Sequence, residues 1–214
     1  MADVNRSRRY ESPLRAHAAG QTRRAVLDAA RELFVAQGYV ATTVEQIARR
    51  AGVSKPTVFA AGGSKKAIFK TLHDQAMAGD DEPVAVASRP WYQEALNELD
   101  QRRSLQLHAR NATSIGLRYA DLDQVLRLAA GADEELRQLW QTAEEQRRIG
   151  QGYVTDALMR KGPLKDGVGR EDAIDVLWTL TASDIYLRLV TMRGWSPDRF
   201  RHWLGDTFCD QLLP

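Results

Sequence analysis

Between positions 42 and 66 the chain gathers the hydroxyls of Thr43 and Thr57 and the ammonium groups of Lys55, Lys65 and Lys66, with no histidine or cysteine among them. Donors of this kind hold phosphate oxygens and base edges; they do not break bonds. Lys55 and Thr57 suit base edges or nearby phosphates, Thr43 a phosphate, and Lys65 and Lys66 further charge contacts. Such groups read DNA only if a helix carries them into the major groove. The stretch 42–65, TTVEQIARRAGVSKPTVFAAGGSK, has the punctuation for that. Thr42-x-x-Glu45 has capping-box spacing and predicts a helix starting near Thr43. Val44, Ile47, Ala48 and Ala51 share one face of it, and Gly52 follows where a left-handed residue closes a helix. Ser54 then caps a second helix with Pro56 in its first turn, where the missing proline N–H costs least. Two short helices joined by a tight turn make a helix-turn-helix, with the second helix as the recognition helix.

Upstream, in 22–39, Val26, Ala29, Ala30, Leu33 and Phe34 repeat as on a helix with one buried face, and Gly38 supplies its stop. From about Thr22 to about Phe69 the chain resembles the DNA-binding domain of the tetracycline-repressor (TetR) family. The resemblance rests on LF-x-x-x-GY, on TTV-x-x-IA-x-x-AGVS-x-x-T-V-F and on SK before the next helix. It implies an all-α fold: an N-terminal three-helix DNA-binding domain and a larger helical domain for ligand binding and dimerisation. It also implies DNA contacts from Pro56, Phe59, Ala60 and Ala61 beside Lys55 and Thr57. Relatives often carry two tyrosines, a histidine and a phenylalanine where this chain reads Phe59, Ala60, Ala61 and Gly62. The phenol and imidazole bonds to phosphate are therefore missing. Weaker binding, compensation by other basic residues, and an altered turn at Gly62-Gly63 all stay open.

Charge points the same way independently of the motif. Residues 1–70 carry 13 Lys+Arg against 5 Asp+Glu, and the remainder 17 against 23, so a net +2 conceals a basic head on an acidic body. Arg6, Arg8, Arg9 and Arg15 fall in a stretch without apolar periodicity, so residues 1–19 are expected to form a flexible basic arm; following phosphates or entering the minor groove, and being an inert terminus, both stay open for it. The DNA-binding domain is then 20–66, a connecting helix 67–79, an acidic hinge Asp80–Pro83, and the effector and dimerisation domain 84–214. No apolar run approaches the roughly 20 residues that span a bilayer, and no signal-peptide core opens the chain, so a cytoplasmic protein is expected. Cys209 stands alone, which excludes an intramolecular disulfide. Glycine-rich phosphate loops, metal-ligand spacings and nucleophile elbows are missing, so neither an enzyme nor a metal or cofactor is expected.

Helices are predicted near 91–99, 102–118, 122–130, 133–160, 170–192 and 197–212. The last two are apolar on more than one side, with Phe200, Trp203, Leu204, Thr207, Phe208 and Leu212 at helical spacing on the final one. In TetR relatives this pair forms a four-helix dimer seam, so a homodimer on a palindromic operator is the expectation. For the small organic effector the reading is fainter. The 133–160 helix carries Trp140, Tyr153 and Gly150 on an apolar face that Gln146 and Arg147 interrupt. His108, Asn111, Trp178 and Asp184 lie near apolar positions of neighbouring helices. These eight side chains other than glycine are the candidate ligand contacts. Arg147 and Asp184 equally suit pairing with each other or with neighbours, and His108 suits plain packing. A ligand-independent architectural DNA binder, and a helical enzyme or carrier working from the C-terminal cavity, are the alternative functions.

Overall fold

A computed structural model describes residues 13–214, and the chain divides after Lys70 into two compact units. In the first, α1 (Pro13–Ala41) is kinked by Gly38, whose φ of 83° leaves helical space. It is followed by α2 (Val44–Ala51), α3 (Lys55–Gly62) and the start of α4 (Lys65–Ala78). Residues 13–19 are helical rather than an arm, since 13–41 is rich in alanine and other helix formers and its only positive-φ break comes at Gly38. Arg6, Arg8 and Arg9 lie outside the described residues. The core is an aromatic triad: Phe34 stacks on Tyr39 at 5.5 Å, and Phe69 meets both edge-on at 5.2 and 5.4 Å. Val26, Ile47, Val58 and Ile68 close around it with no exposed surface. Each such side chain contributes about 1.5–3 kcal/mol on burial.

The second unit contains the end of α4, then α5 (Pro90–Asn97), α6 (Gln101–Ala130), α7 (Glu134–Lys161), α8 (Arg170–Leu180), α9 (Ser183–Tyr186) and α10 (Pro197–Leu212). The stretch read as the hinge lies within the second unit and is fastened there. The buried Arg89 pairs with Asp80 and donates to the carbonyls of Glu82 and Val84, which straps the acidic stretch down. Helix α6 runs unbroken where two helices were predicted, because Tyr119, Ala120 and Leu122 are all buried and nothing between them stops the ladder. The predicted 170–192 helix instead breaks at Thr181. Its hydroxyl bonds back to Leu177 O at 2.8 Å, Ala182 turns extended, and α9 passes into a π-helical turn over Leu187–Met192.

Helix α6 is the hub, flanked by α10, α7, α5 and α9, and the core beside it holds Leu105, Leu158, Leu177, Leu204 and Phe208. No helix among the described residues is long and apolar enough to cross a membrane. One close approach depends on a missing side chain. A Cβ on Gly116 would stand 2.5 Å from Tyr186 Cδ2 and 2.8 Å from its Cγ, near the root of a ring that cannot swing away. Gly116→Ala should therefore destabilise by about 1–3 kcal/mol as the ring and α9 are forced outward, read as a lower midpoint in urea. An unchanged midpoint would mean that α9 shifts freely.

Candidate functional site

The α2–α3 turn is built as its residues dictate, with one correction. The cap is Thr43, not Thr42. Thr43 Oγ1 accepts from Gln46 N at 3.2 Å while Gln46 Oε1 accepts from Thr43 N at 2.8 Å, so the box closes on Gln46 instead of Glu45. Thr42 is buried and donates to Gly38 O at 2.8 Å, which is why it is unavailable as the cap. Gly52 closes α2 at φ 69°. Ser54 then caps α3, accepting from Thr57 N at 3.3 Å and sharing a 2.7 Å bond with the Thr57 hydroxyl.

Val58 anchors α3 in the core and leaves Lys55, Pro56, Phe59 and Ala60 exposed, with Thr57 and Ala61 half-buried. Phe59 keeps 48% of its surface exposed, an apolar side chain where a hydrogen-bonding one would stand in relatives. Gly62 has a packing reason: a Cβ there would lie 2.7 Å from Ile68 Cγ1, so the end of α3 presses directly on α4. Arg23, which sequence reasoning missed, ties this end to α1 by donating to Ala61 O at 2.7 Å.

Lys65 does not stand ready for phosphate. Its Nζ donates to Tyr39 O and Thr42 O at 2.9 Å each and sits 4.2 Å over the Tyr39 ring, so it clamps the end of α1. Lys66 is half-buried at the same helix start. Glu45, assigned only a capping role from sequence, instead forms an ion pair with Lys55. Lys55 holds its carboxyl below the usual glutamate range.

In the larger unit the structure divides the candidate ligand contacts. Gln146 is exposed and Tyr153 keeps 50% of its surface, so neither faces inward as the periodicity suggested. Trp140 is half-buried. Asp184 pairs with Arg127 at 2.8 Å, on the edge rather than in a pocket. The space expected beside Gly150 is occupied by Tyr92, whose hydroxyl donates to Gly150 O at 2.7 Å.

What does come together is a polar seam between α6, α7 and α8. His108 shares a 2.8 Å bond with Gln151 Oε1 and stacks on Phe208 at 5.6 Å. Burial pushes its imidazole down to about 4, so it is neutral at physiological pH. Asn111 donates to Trp91 O at 2.8 Å. Arg147 grips Glu144, donates to Trp178 O and to Thr181 Oγ1 at 3.2 Å, and lies 4.8 Å over the Trp178 ring. The buried indole N–H of Trp178 finds no partner among the described residues. A separate groove of about 240 Å³ between α6 and α10, with Arg103, Gln106, Arg110 and His202 in its walls, includes none of the predicted contacts.

A capped, glycine-pivoted helix pair on a three-helix head, followed by an all-helical body among the described residues, is the architecture of a helix-turn-helix DNA-binding head on a helical body. Residues 26–72 match the model for bacterial regulatory proteins of the tetR family. Over 41 residues the chain is 51% identical to the uncharacterized HTH-type transcriptional regulator TtgW of Pseudomonas putida, a match spanning 19% of this chain and 31% of TtgW. NalD, the secondary repressor of the MexAB-OprM multidrug efflux pump in Pseudomonas aeruginosa, superposes with a TM-score of 0.65 at 24% identity, over 92% of this chain and 98% of NalD. SmeT in its complex with triclosan superposes with a TM-score of 0.66 at 16% identity, over 90% and 92% of the two chains. At these identities the two structures speak to the fold. The head thus carries the tetR-family DNA-binding match, and the chain as a whole shares the fold of these two structures.

Proposed function

We propose that the chain is a transcriptional repressor that binds a palindromic DNA operator as a homodimer and is released by a small organic effector. The observation that carries this reading is the outward first turn of α3, where Lys55 and Pro56 are exposed on a helix that Val58 anchors rigidly to the head. Val176, Leu180 and Trp203 support dimerisation. They are apolar, only partly covered in one protomer, and lie on α8 and α10 beside the core. NalD is a repressor and SmeT binds triclosan, which favours repression and an aromatic, amphipathic effector here. The unpartnered Trp178 N–H beside Arg147 is the donor such a compound would use. Helix α4, which begins in the head and ends in the larger unit, is the covalent route by which a bound compound would act.

The test is selection of duplexes from genomic DNA, followed by titration at several salt concentrations. Affinity should fall steeply with salt as condensed counterions are displaced. Lys55→Ala should cost about 1–3 kcal/mol on the selected duplex and less on random DNA if Lys55 contacts a base. Equal losses on both would make it a phosphate contact, and failure to select any duplex would overturn the proposal.

A further inference from the structure

Helix α3 turns one face to the core and the opposite face outward. Val58 fills the inner face with no exposed surface, while Pro56, Phe59 and Ala60, at i, i+3 and i+4, share the outer one and are all exposed. None of these three side chains can form a hydrogen bond. The helix holds two that can, Lys55 and Thr57, and both have partners inside the head: Glu45 for the first, and for the second the Ser54 hydroxyl at 2.7 Å. Phe59 is therefore the group that projects. It keeps 48% of its surface exposed, although the head's core is already closed around Phe34, Tyr39 and Phe69 and does not draw on it.

Resting on the DNA-binding reading above, we infer that Phe59, flanked by Pro56 and Ala60, is a specificity-determining residue that reads the C5-methyl group of a thymine in each half-site of the operator. A recognition helix lies in the major groove, and the one apolar group that an unmodified base pair presents there is that methyl. Ring and methyl both shed water on contact. The other bases are disfavoured as well: under the ring, the N7 and O6 of guanine or the N4 amino group of cytosine would be stripped of water, with no side chain on this face to replace it. The face thus selects by what it leaves unsatisfied as well as by what it covers.

The experiment uses the full chain and a duplex that the wild type selects from a randomised synthetic pool. Each thymine of the half-site is replaced in turn by deoxyuridine, symmetrically in both halves, which removes the methyl and keeps the base pair. At the contacted position affinity should fall about fourfold per methyl, the effect of burying one carbon's worth of apolar surface, and so about 15-fold for the symmetric pair. That series needs no variant. Phe59→Leu, which keeps an apolar side chain, should stay sensitive to the methyl, and Phe59→Ala should lose the sensitivity, with thermal melts alongside to show that both are folded. A selected half-site without thymine, thymines that deoxyuridine replaces at no loss, or a loss that persists in Phe59→Ala would overturn the inference. So would a Phe59→Ala protein that loses as much affinity on random DNA as on the selected duplex, which would make the ring a contact to sugar and backbone. A wild type that selects no duplex fails earlier, at the DNA-binding reading, and takes this inference with it.

Discussion

Phe208→Glu will yield little or no folded protein, whereas Trp203→Glu will yield folded monomers. Both residues lie on α10 five positions apart, and periodicity alone assigns both to a dimer seam. The structure separates them. Phe208 has no exposed surface and packs against the His108 ring inside the protomer, so a carboxylate there is buried without a cation. Losing the ring costs about 3–5 kcal/mol, and the unpaired carboxylate adds to it. That approaches the whole stability of a typical domain, about 5–15 kcal/mol. Trp203 is only half-buried, touching Trp195 edge-on at 5.9 Å and Phe200 at 5.7 Å. Its replacement forfeits those ring contacts, about 0.5–1.5 kcal/mol each, and leaves the protomer folded. Sedimentation velocity with circular dichroism on both variants reads the difference. A folded, monomeric Phe208→Glu would put Phe208 back in the seam, and a dimeric Trp203→Glu would move the seam off this flank.

The contrast between those residues shows what the sequence could carry. Local signals were legible wherever one residue type decides the backbone: Gly52 in left-handed space, Ser54 as a cap and Pro56 in a first turn all stand as read. Alternatives within hydrogen-bonding reach were not. Thr42 and Thr43 are equally good caps on paper, and only the carbonyl of Gly38 beyond the kink takes Thr42 away. Lys65 reads as a phosphate ligand until Tyr39 O and Thr42 O, more than twenty residues earlier, are found beneath it. The candidate ligand site was the least legible part. Helical periodicity places Gln146 and Tyr153 on the inner face of a straight α7, but which flank of a long helix is covered depends on where its neighbours cross. Tyr92 reaching over to Gly150 could not be inferred from the spacing of α7 alone.

Arg147→Ala will lower stability by about 2–4 kcal/mol, because it breaks a mostly buried ion pair and strips the end of α8 of its donors. For a chain of this size that is a fall of roughly 5–15 °C in the melting midpoint. The side chain is 14% exposed and already committed to Glu144, Trp178 O and Thr181, which leaves it little capacity to receive a ligand. Trp178 is the opposite case. Its indole N–H is buried and unpartnered, so Trp178→Phe removes a polar group that nothing satisfies and should leave the midpoint nearly unchanged. If the seam receives the effector, Trp178→Phe should abolish release from DNA by an inducing compound while operator binding stays near wild type. Arg147→Ala should instead damage stability, DNA binding and release together. Thermal melts and operator titrations of both variants, with and without the compound, separate the roles. An Arg147→Ala protein that melts as the wild type does and binds operator normally but ignores the compound would make Arg147 the ligand contact. A Trp178→Phe protein still released by the compound would place the effector elsewhere in the larger unit.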